Sequence, residues 1–142
     1  MNSITRNRIL RIAGCAAIAL AAVSLFGLVR AAGQGHDHVV FSTALANVPG
    51  KTLTAVVVDY TPGGKSPPHQ HAGSVFAYVL SGAIRSENSA TGPVKTYHAG
   101  EAFFEPPGSV HRVSENASQS EPASLLAIFV ADDQARLTQP AK

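Results

Sequence analysis

Two stretches of the chain share one pattern, in which a Gly/Pro turn runs directly into an apolar segment and carries histidine. The first is Gly63–Gly82, with His69 and His71, and the second is Gly100–His111. Glycine and proline end regular structure and leave room only for short segments. In a strand, side chains two positions apart point to the same face. The pattern therefore predicts short strands joined by tight turns, with two imidazoles directed at one point.

The chain after residue 38 alternates short apolar or β-branched segments with turns. Val39–Leu45 and Thr52–Tyr60 flank a turn, and Ser124–Ala131 is the most hydrophobic of these segments. No stretch beyond the first thirty or so residues keeps a helical apolar period. Short strands separated by Gly/Pro turns are typical of an antiparallel sandwich or barrel. We therefore predict an all-β fold, a single antiparallel β-barrel or jelly roll over residues 39–131, whose interior can hold a small ligand.

The first 31 residues differ from the rest. Arginines precede an uncharged apolar run from Ile12 to Val29. Such a run is typical of a secretory signal peptide, and its length would also allow an uncleaved membrane-anchor helix. Either alternative places the domain outside the cytoplasm, periplasmic, secreted or anchored, with membrane contact only through this segment. We thus predict a signal peptide or anchor over 1–31, a flexible linker over 32–38 and a C-terminal tail over 132–142.

Charge and cysteine content exclude several kinds of function. The chain carries 11 Lys/Arg and 9 Asp/Glu, but four arginines and no acidic residue lie before Ala32. The remainder has seven basic and nine acidic residues, a net charge near −2, and offers no basic patch for nucleic acid. The only cysteine is Cys15, inside the apolar run, so the domain has no disulfide, thiol nucleophile or thiolate metal ligand.

The two histidine-bearing stretches resemble the two motifs of the cupin family. The first motif reads G-x5-H-x-H-x(3,4)-E-x6-G, and its turn glycines and histidines are present here as Gly63, His69, His71 and Gly82. The second reads G-x5-P-x-G-x2-H-x3-N, and its matching residues are Gly100, Pro106, Gly108 and His111. The asparagine is displaced by one position to Asn116, and the glutamate of the first motif falls on Val75.

This resemblance implies a cupin barrel with one divalent transition metal held by His69, His71 and His111, without the family's glutamate. Imidazole suits Fe, Cu, Zn and Ni, and Mn is a further candidate. Three protein ligands leave positions open for water or substrate, as in catalytic sites. Without a carboxylate, the charge of the metal favours an anionic or enolisable small molecule. Cupin thiol dioxygenases are similar in using three histidines with ferrous iron, so the resemblance suggests a dioxygenase-like oxidoreductase.

A non-catalytic alternative stays open. The same barrel could be a metal- or small-molecule-binding module of the cell envelope, and the missing glutamate mildly favours this interpretation. The sequence does not decide whether the protein is an enzyme, and no catalytic residue can be identified. Because cupins are often dimers, the resemblance also allows a homodimer.

Several other polar residues could enter the site. Glu101 or Glu105 could replace the missing carboxylate, but Glu101 lies in a predicted turn and Glu105 precedes a proline, where the backbone is constrained. Arg85 could anchor an anionic substrate, although a solvated charge at a strand end is the simpler interpretation. The domain's remaining histidines are predicted to lie in the linker or at the surface: His36, His38 and His98.

Overall fold

A computed structural model of the protein describes residues 35–142, which form strands, turns and loops and contain no helix. The strands are β1 (His36–Ala44), β2 (Lys51–Tyr60), β3 (Lys65–Ser66), β4 (His69–His71), β5 (Ser74–Ser81), β6 (Ala83–Asn88), β7 (Gly92–His98), β8 (Ala102–Glu105), β9 (Val110–Asn116), β10 (Ala123–Asp132) and β11 (Thr138–Pro140). Within this part of the chain, no helix is long and apolar enough to cross a membrane. The predicted leader lies outside the described residues.

The strands pair into two antiparallel sheets. One has the order β1-β2-β10-β5-β8, and the other has the order β11-β4-β9-β6-β7, with β3 beside β9. The consecutive strands β4, β5 and β6 alternate between the two sheets, so the chain joins them repeatedly into one barrel. The predicted all-β, antiparallel jelly roll is confirmed.

The core lies between the sheets and follows the two-residue period of the strands. On β5, Val75, Ala77 and Val79 are buried, whereas the intervening Phe76 and Tyr78 face outward. The buried residues pair across the sheet with alternate residues of β10: Phe129, Ala127 and Leu125. Burial of a valine, leucine or phenylalanine side chain contributes about 1.5–3 kcal/mol. This row forms one wall of the barrel interior and fixes the register of β5.

Two glycines allow β5 to fit tightly at both ends. Gly82 has a φ of 68°, and a Cβ there would lie 2.7 Å from the carbonyl oxygen of Pro122. A Cβ at Gly73 would meet the backbone of Val130 and Ala131. Any larger residue would push the turn away from β10. These turns hold β4 and β5 in place beside the barrel interior.

The ordered strands extend further at both ends than the sequence predicts. The segment 36–38, expected in a linker, belongs to β1 and pairs with residues 57–59 of β2. In the tail, β11 pairs with β4, with Thr138 opposite His71 and Pro140 opposite His69. Both additions are short and largely polar, so no apolar period reveals them; they form because the long β2 and the edge of β4 offer unpaired backbone groups. The tail thus covers the strand that carries two of the histidines.

Candidate metal centre

Strands β4 and β9 bring the three predicted histidines together on one side of the barrel interior. His69 lies directly opposite His111 in the antiparallel pair, and His71 shares a strand face with His69 two residues away. One ring nitrogen from each residue lies within 4.8 Å of the others. His71 and His111 are buried and His69 is partly buried. The group could hold a metal ion.

Backbone carbonyl groups hold the two rings of β4. Nδ1 of His69 lies 2.7 Å from the carbonyl oxygen of Pro67, and Nδ1 of His71 lies 3.1 Å from that of Leu137. A carbonyl oxygen only accepts, so each Nδ1 carries the proton and donates it. The lone pair of each neutral ring is therefore on Nε2. Hydrogen bonds of this kind fix the tautomer and the orientation of metal-binding histidines.

Side chains rather than backbone hold the third ring. Nε2 of His111 lies 2.8 Å from the hydroxyl oxygen of Ser86, and its Nδ1 lies 3.1 Å from Oε2 of Glu105. The same carboxylate oxygen is 3.9 Å from Nε2 of His71 and accepts a 3.2 Å hydrogen bond from the amide of Asn88. A buried carboxylate therefore lies between two of the three imidazoles.

Glu105 is a weak candidate from the sequence because a proline follows it, but in the structure the same constraint favours its position. A residue before proline is restricted to extended conformations, and Glu105 is the last residue of β8, where an extended conformation is required. On β8 the inward positions alternate, so Phe103 and Glu105 share the inner face. That alternation is the signal that could have identified the carboxylate.

Burial and neighbouring groups shift the pKa values of His69, His71 and Glu105. Desolvation lowers the pKa of His69 and of His71, because the charged imidazolium is disfavoured away from water. Burial alone would raise the pKa of Glu105, but the hydrogen bond and charge interaction with His111, with smaller contributions from His71 and Asn88, bring it below its ordinary value. These shifts favour neutral imidazoles at His69 and His71 and an ionised carboxylate at Glu105, the forms that bind metals.

A cavity of about 530 Å³ opens beside the cluster. The three histidines and Glu105 line it together with an apolar wall from the five-stranded sheet, which includes Val56, Val58, Val75, Phe103, Leu125 and Phe129. Among the described residues, Arg136 is the one lysine or arginine along this lining. A cavity of this size suits a small organic molecule with an apolar body and few polar groups.

The other candidate residues lie away from the cluster. Arg85 forms an ion pair with Glu115 at 3.2 Å, and it does not line the cavity. The carboxylate of Glu101 accepts a 2.6 Å hydrogen bond from the backbone N–H of His98 in an exposed turn. On β1, His36 and His38 are exposed, and only His38 reaches the mouth of the cavity.

The sequence profile of the cupin domain family matches residues 56–129, which are 74 of the chain's 142 residues. This segment contains all three histidines and Glu105. The chain belongs to the cupin family.

Known proteins similar to this chain include plant and bacterial relatives. Germin-like protein subfamily 2 member 2 of Arabidopsis thaliana is 36% identical over 89 residues, covering 58% of this chain and 40% of that protein. A Klebsiella pneumoniae protein with a double-stranded β-helix domain superposes with a TM-score of 0.60 at 26% identity, covering 79% of this chain and 88% of that one. An oxalate decarboxylase structure gives a TM-score of 0.50 at 29% identity, covering 58% of this chain and 23% of that one. The chain spans only 34–51% of the curated relatives it matches.

Proposed function

We propose that this cupin is a metal-dependent enzyme. His69, His71 and His111 hold one divalent transition metal ion, and a small anionic or enolisable molecule binds beside it. The observation that carries the proposal is the convergence of three imidazoles, within 4.8 Å of one another, on the wall of a cavity of about 530 Å³. The donor set fits such an ion, because imidazole nitrogen is a preferred ligand of Fe, Cu, Zn and Ni.

When bound, the metal would supply Lewis-acid chemistry or, as iron or copper, oxygen activation, and we propose a dioxygenase-like oxidoreductase. The chain's own residues bind and orient the substrate. The apolar wall displaces water and so strengthens charge interactions inside the cavity. The guanidinium of Arg136 can pair with a substrate carboxylate at the lining. The similarity to an oxalate decarboxylase, whose name specifies a small dicarboxylate, is in line with an anionic substrate.

One observation favours a second function, a binding module without turnover. Every buried side-chain nitrogen and oxygen in residues 35–142 already has a hydrogen-bond partner. These hydrogen bonds form without a metal, so the barrel could hold a small molecule without any metal chemistry.

Elemental analysis of the full chain, purified in detergent without a polyhistidine tag, tests the metal. We expect about one equivalent of a transition metal, and a loss of nearly all of it in His71→Ala, because removing one of three ligands weakens binding strongly. His98→Ala is the matched control, since His98 is an exposed histidine outside the cluster, and its metal content should be unchanged. Equal metal content in both variants contradicts the proposed site.

Oxygen-uptake and product assays on the metal-loaded protein separate the two functions. We expect turnover of a small carboxylate, enolate or thiol, with loss of activity in His71→Ala. A protein that binds such molecules tightly but consumes neither oxygen nor ligand supports the binding module instead.

We also propose that the protein is exported, because residues 1–31 combine basic residues with an apolar run, as signal peptides do. Cell fractionation and N-terminal sequencing of the mature protein test this and separate cleavage from anchoring.

A homodimer is a further proposal, supported by outward-facing Phe76, Tyr78 and Phe104 on adjacent strands. Light scattering of the purified protein gives its mass and tests the dimer.

A further inference from the structure

The carboxylate that the cupin motif places on β5 is present in this site, but on the neighbouring strand. Val75 occupies the motif's glutamate position and pairs directly with Glu105 of β8. Directly paired residues in antiparallel strands project to the same face, with Cβ atoms about 4.5–5.5 Å apart. Val75 is 1% exposed and Glu105 is 3% exposed, so both face the interior. Exchanging the two residues would leave a carboxylate on the same wall of the cavity.

The surroundings of Glu105 lack a permanent cation. In the part of the chain that the structure describes, its ion-pair partners are His71 and His111, and neither a lysine nor an arginine contacts it. An ionised carboxylate taken out of water costs several kcal/mol unless a positive charge compensates it. Hydrogen bonds from Asn88 and His111 and the charge interactions with the histidines provide that compensation here. A divalent cation among the imidazoles would place a permanent positive charge beside this carboxylate.

We infer that Glu105 is the fourth protein ligand of the metal, together with His69, His71 and His111. The inference rests on the proposed function, because it requires the metal that the three histidines hold. It changes the predicted ligand set from three neutral imidazoles to three imidazoles and one carboxylate. The protein then offsets one of the two positive charges of the ion, and the site keeps a net positive charge for an anionic substrate.

His111 must exchange a hydrogen bond for this set to form. A neutral imidazole has one lone pair, and the 3.1 Å contact between its Nδ1 and Oε2 of Glu105 requires a proton between them. If the proton moves to Nε2, that nitrogen donates to the hydroxyl oxygen of Ser86, which is 2.8 Å away. Nδ1 of His111 and Oε2 of Glu105 then both present lone pairs. This exchange moves one proton within the ring, so the proton count of the site does not change.

Zinc affinity, measured by chelator competition on the full-length, tag-free protein, tests the inference. We expect Glu105→Gln, which keeps the shape but not the charge, to weaken zinc binding about 100-fold or more, at or beyond the upper end of losses seen for residues that only orient a ligand. Glu101→Gln is the matched control, because that carboxylate lies in an exposed turn, and its affinity should equal that of the unmodified protein. Val75→Glu/Glu105→Val should recover affinity to within about 10-fold. If Glu105→Gln fails to fold, this double variant provides the test in its place.

Infrared difference spectra recorded on zinc addition give a readout that an orienting role would not produce. A metal-bound glutamate shifts its carboxylate stretching bands, so we expect shifted bands in the unmodified protein and in Glu101→Gln but not in Glu105→Gln. If the unmodified protein binds zinc through His71 but shows no such bands, or if Glu105→Gln binds zinc equally well, the fourth ligand is disproved and the three-histidine site stands. If the unmodified protein binds no metal, the proposed function fails as well.

Discussion

On β4, backbone carbonyl groups hold the imidazole rings, whereas on β9 side chains hold the ring. The rings of His69 and His71 donate to the carbonyl oxygens of Pro67 and Leu137. His111 instead lies between the hydroxyl of Ser86 and the carboxylate of Glu105. Backbone acceptors cannot be removed by mutation, so the first region has a fixed tautomer. The second region can change its proton arrangement, and its properties depend on individual side chains.

This difference assigns different tasks to the two histidine-bearing strands. The rings of β4 are prearranged, with Nε2 free to bind. The negative charge of the site lies beside β9, because Glu105 is the buried carboxylate of the site. We therefore expect replacement of a histidine in either region to have a similar effect on metal content but a different effect on the stability of the metal-free fold.

The largest expected effect is a difference in the free energy of unfolding between His111→Ala and His71→Ala, both in the metal-free form. Both variants lose a ring and leave a similar cavity. His111→Ala also leaves the buried carboxylate of Glu105 without one of its hydrogen-bond donors, which we expect to cost about 3 kcal/mol or more. His71→Ala leaves the carbonyl of Leu137 and the hydroxyl of Thr138 to find new partners and removes a longer, 3.9 Å contact with Glu105. We expect this to cost about 1–2 kcal/mol beyond the shared cavity.

Urea unfolding of both variants, after removal of metal by a chelator, measures this difference. A free energy of unfolding that falls equally in the two variants would contradict the comparison. The double variant His111→Ala/Glu105→Val is the control, because it removes the carboxylate along with its partner and should recover part of the loss.

The second expected effect is acid sensitivity of the metal-free protein. The pKa values of His69 and His71 are lowered by burial, so below about pH 6.5 the unfolded chain binds more protons than the folded one. Stability should therefore fall as the pH drops from about 6.5 through the folded-state pKa values. The lowered pKa of Glu105 adds a further loss below about pH 4.3, as the carboxylate becomes protonated.

Unfolding free energies measured from pH 7.5 to pH 4 check this profile. His71→Ala should show a shallower slope than the unmodified protein below about pH 6.5, because one of the two depressed histidines is gone. An unchanged slope would mean that burial of this ring does not control the acid transition.

The sequence predicts the part of the site that depends on local geometry. His69 and His71 stand two apart on an extended segment, and their shared face follows from strand geometry alone. The apolar run 75–80 likewise indicates the strand β5, but because nearly every residue in it is apolar, it does not indicate which face is buried. His111 needs the pairing of β4 with β9, which no local pattern specifies; the cupin motifs supplied it.

Alternation along β8 indicates that Glu105 faces inward, but its place beside the histidines depends on pairing between distant segments, and so does β11. The pairing of Val75 with Glu105 joins residues 30 positions apart, and the register between β5 and β8 is set by the assembled sheet rather than by either segment. β11 has three exposed residues and no apolar face, so only its pairing with β4 makes it a strand. Because the motif's glutamate position holds Val75, the sequence suggested a missing ligand, although a carboxylate lies opposite it on the neighbouring strand.

A smaller expected effect is a difference in zinc affinity between variants that lose a side-chain partner of His111 and of His71. Ser86→Ala removes the partner of Nε2 of His111, and we expect zinc affinity to fall about 10-fold. Thr138→Val removes a hydroxyl 3.2 Å from Nδ1 of His71, but the carbonyl of Leu137 remains, so affinity should be nearly unchanged. Chelator competition on both variants checks the contrast, and equal losses would show that the backbone carbonyl does not hold the ring of His71 by itself.

The smallest expected effect concerns the substrate rather than the metal. Arg136 is exposed and lines the cavity, so water screens its charge and its pairing with a ligand carboxylate is worth about 1 kcal/mol or less. Arg136→Gln should weaken binding of small carboxylates by about fivefold at most, while zinc affinity and binding of uncharged analogues stay the same. Arg85→Gln is the matched control, because that arginine is paired with Glu115 away from the cavity. Calorimetric titration of metal-loaded protein measures carboxylate binding by both variants. An equal loss of affinity in the two would assign the effect to net charge. A loss of affinity confined to Arg136→Gln locates the anionic end of the substrate at the mouth of the barrel.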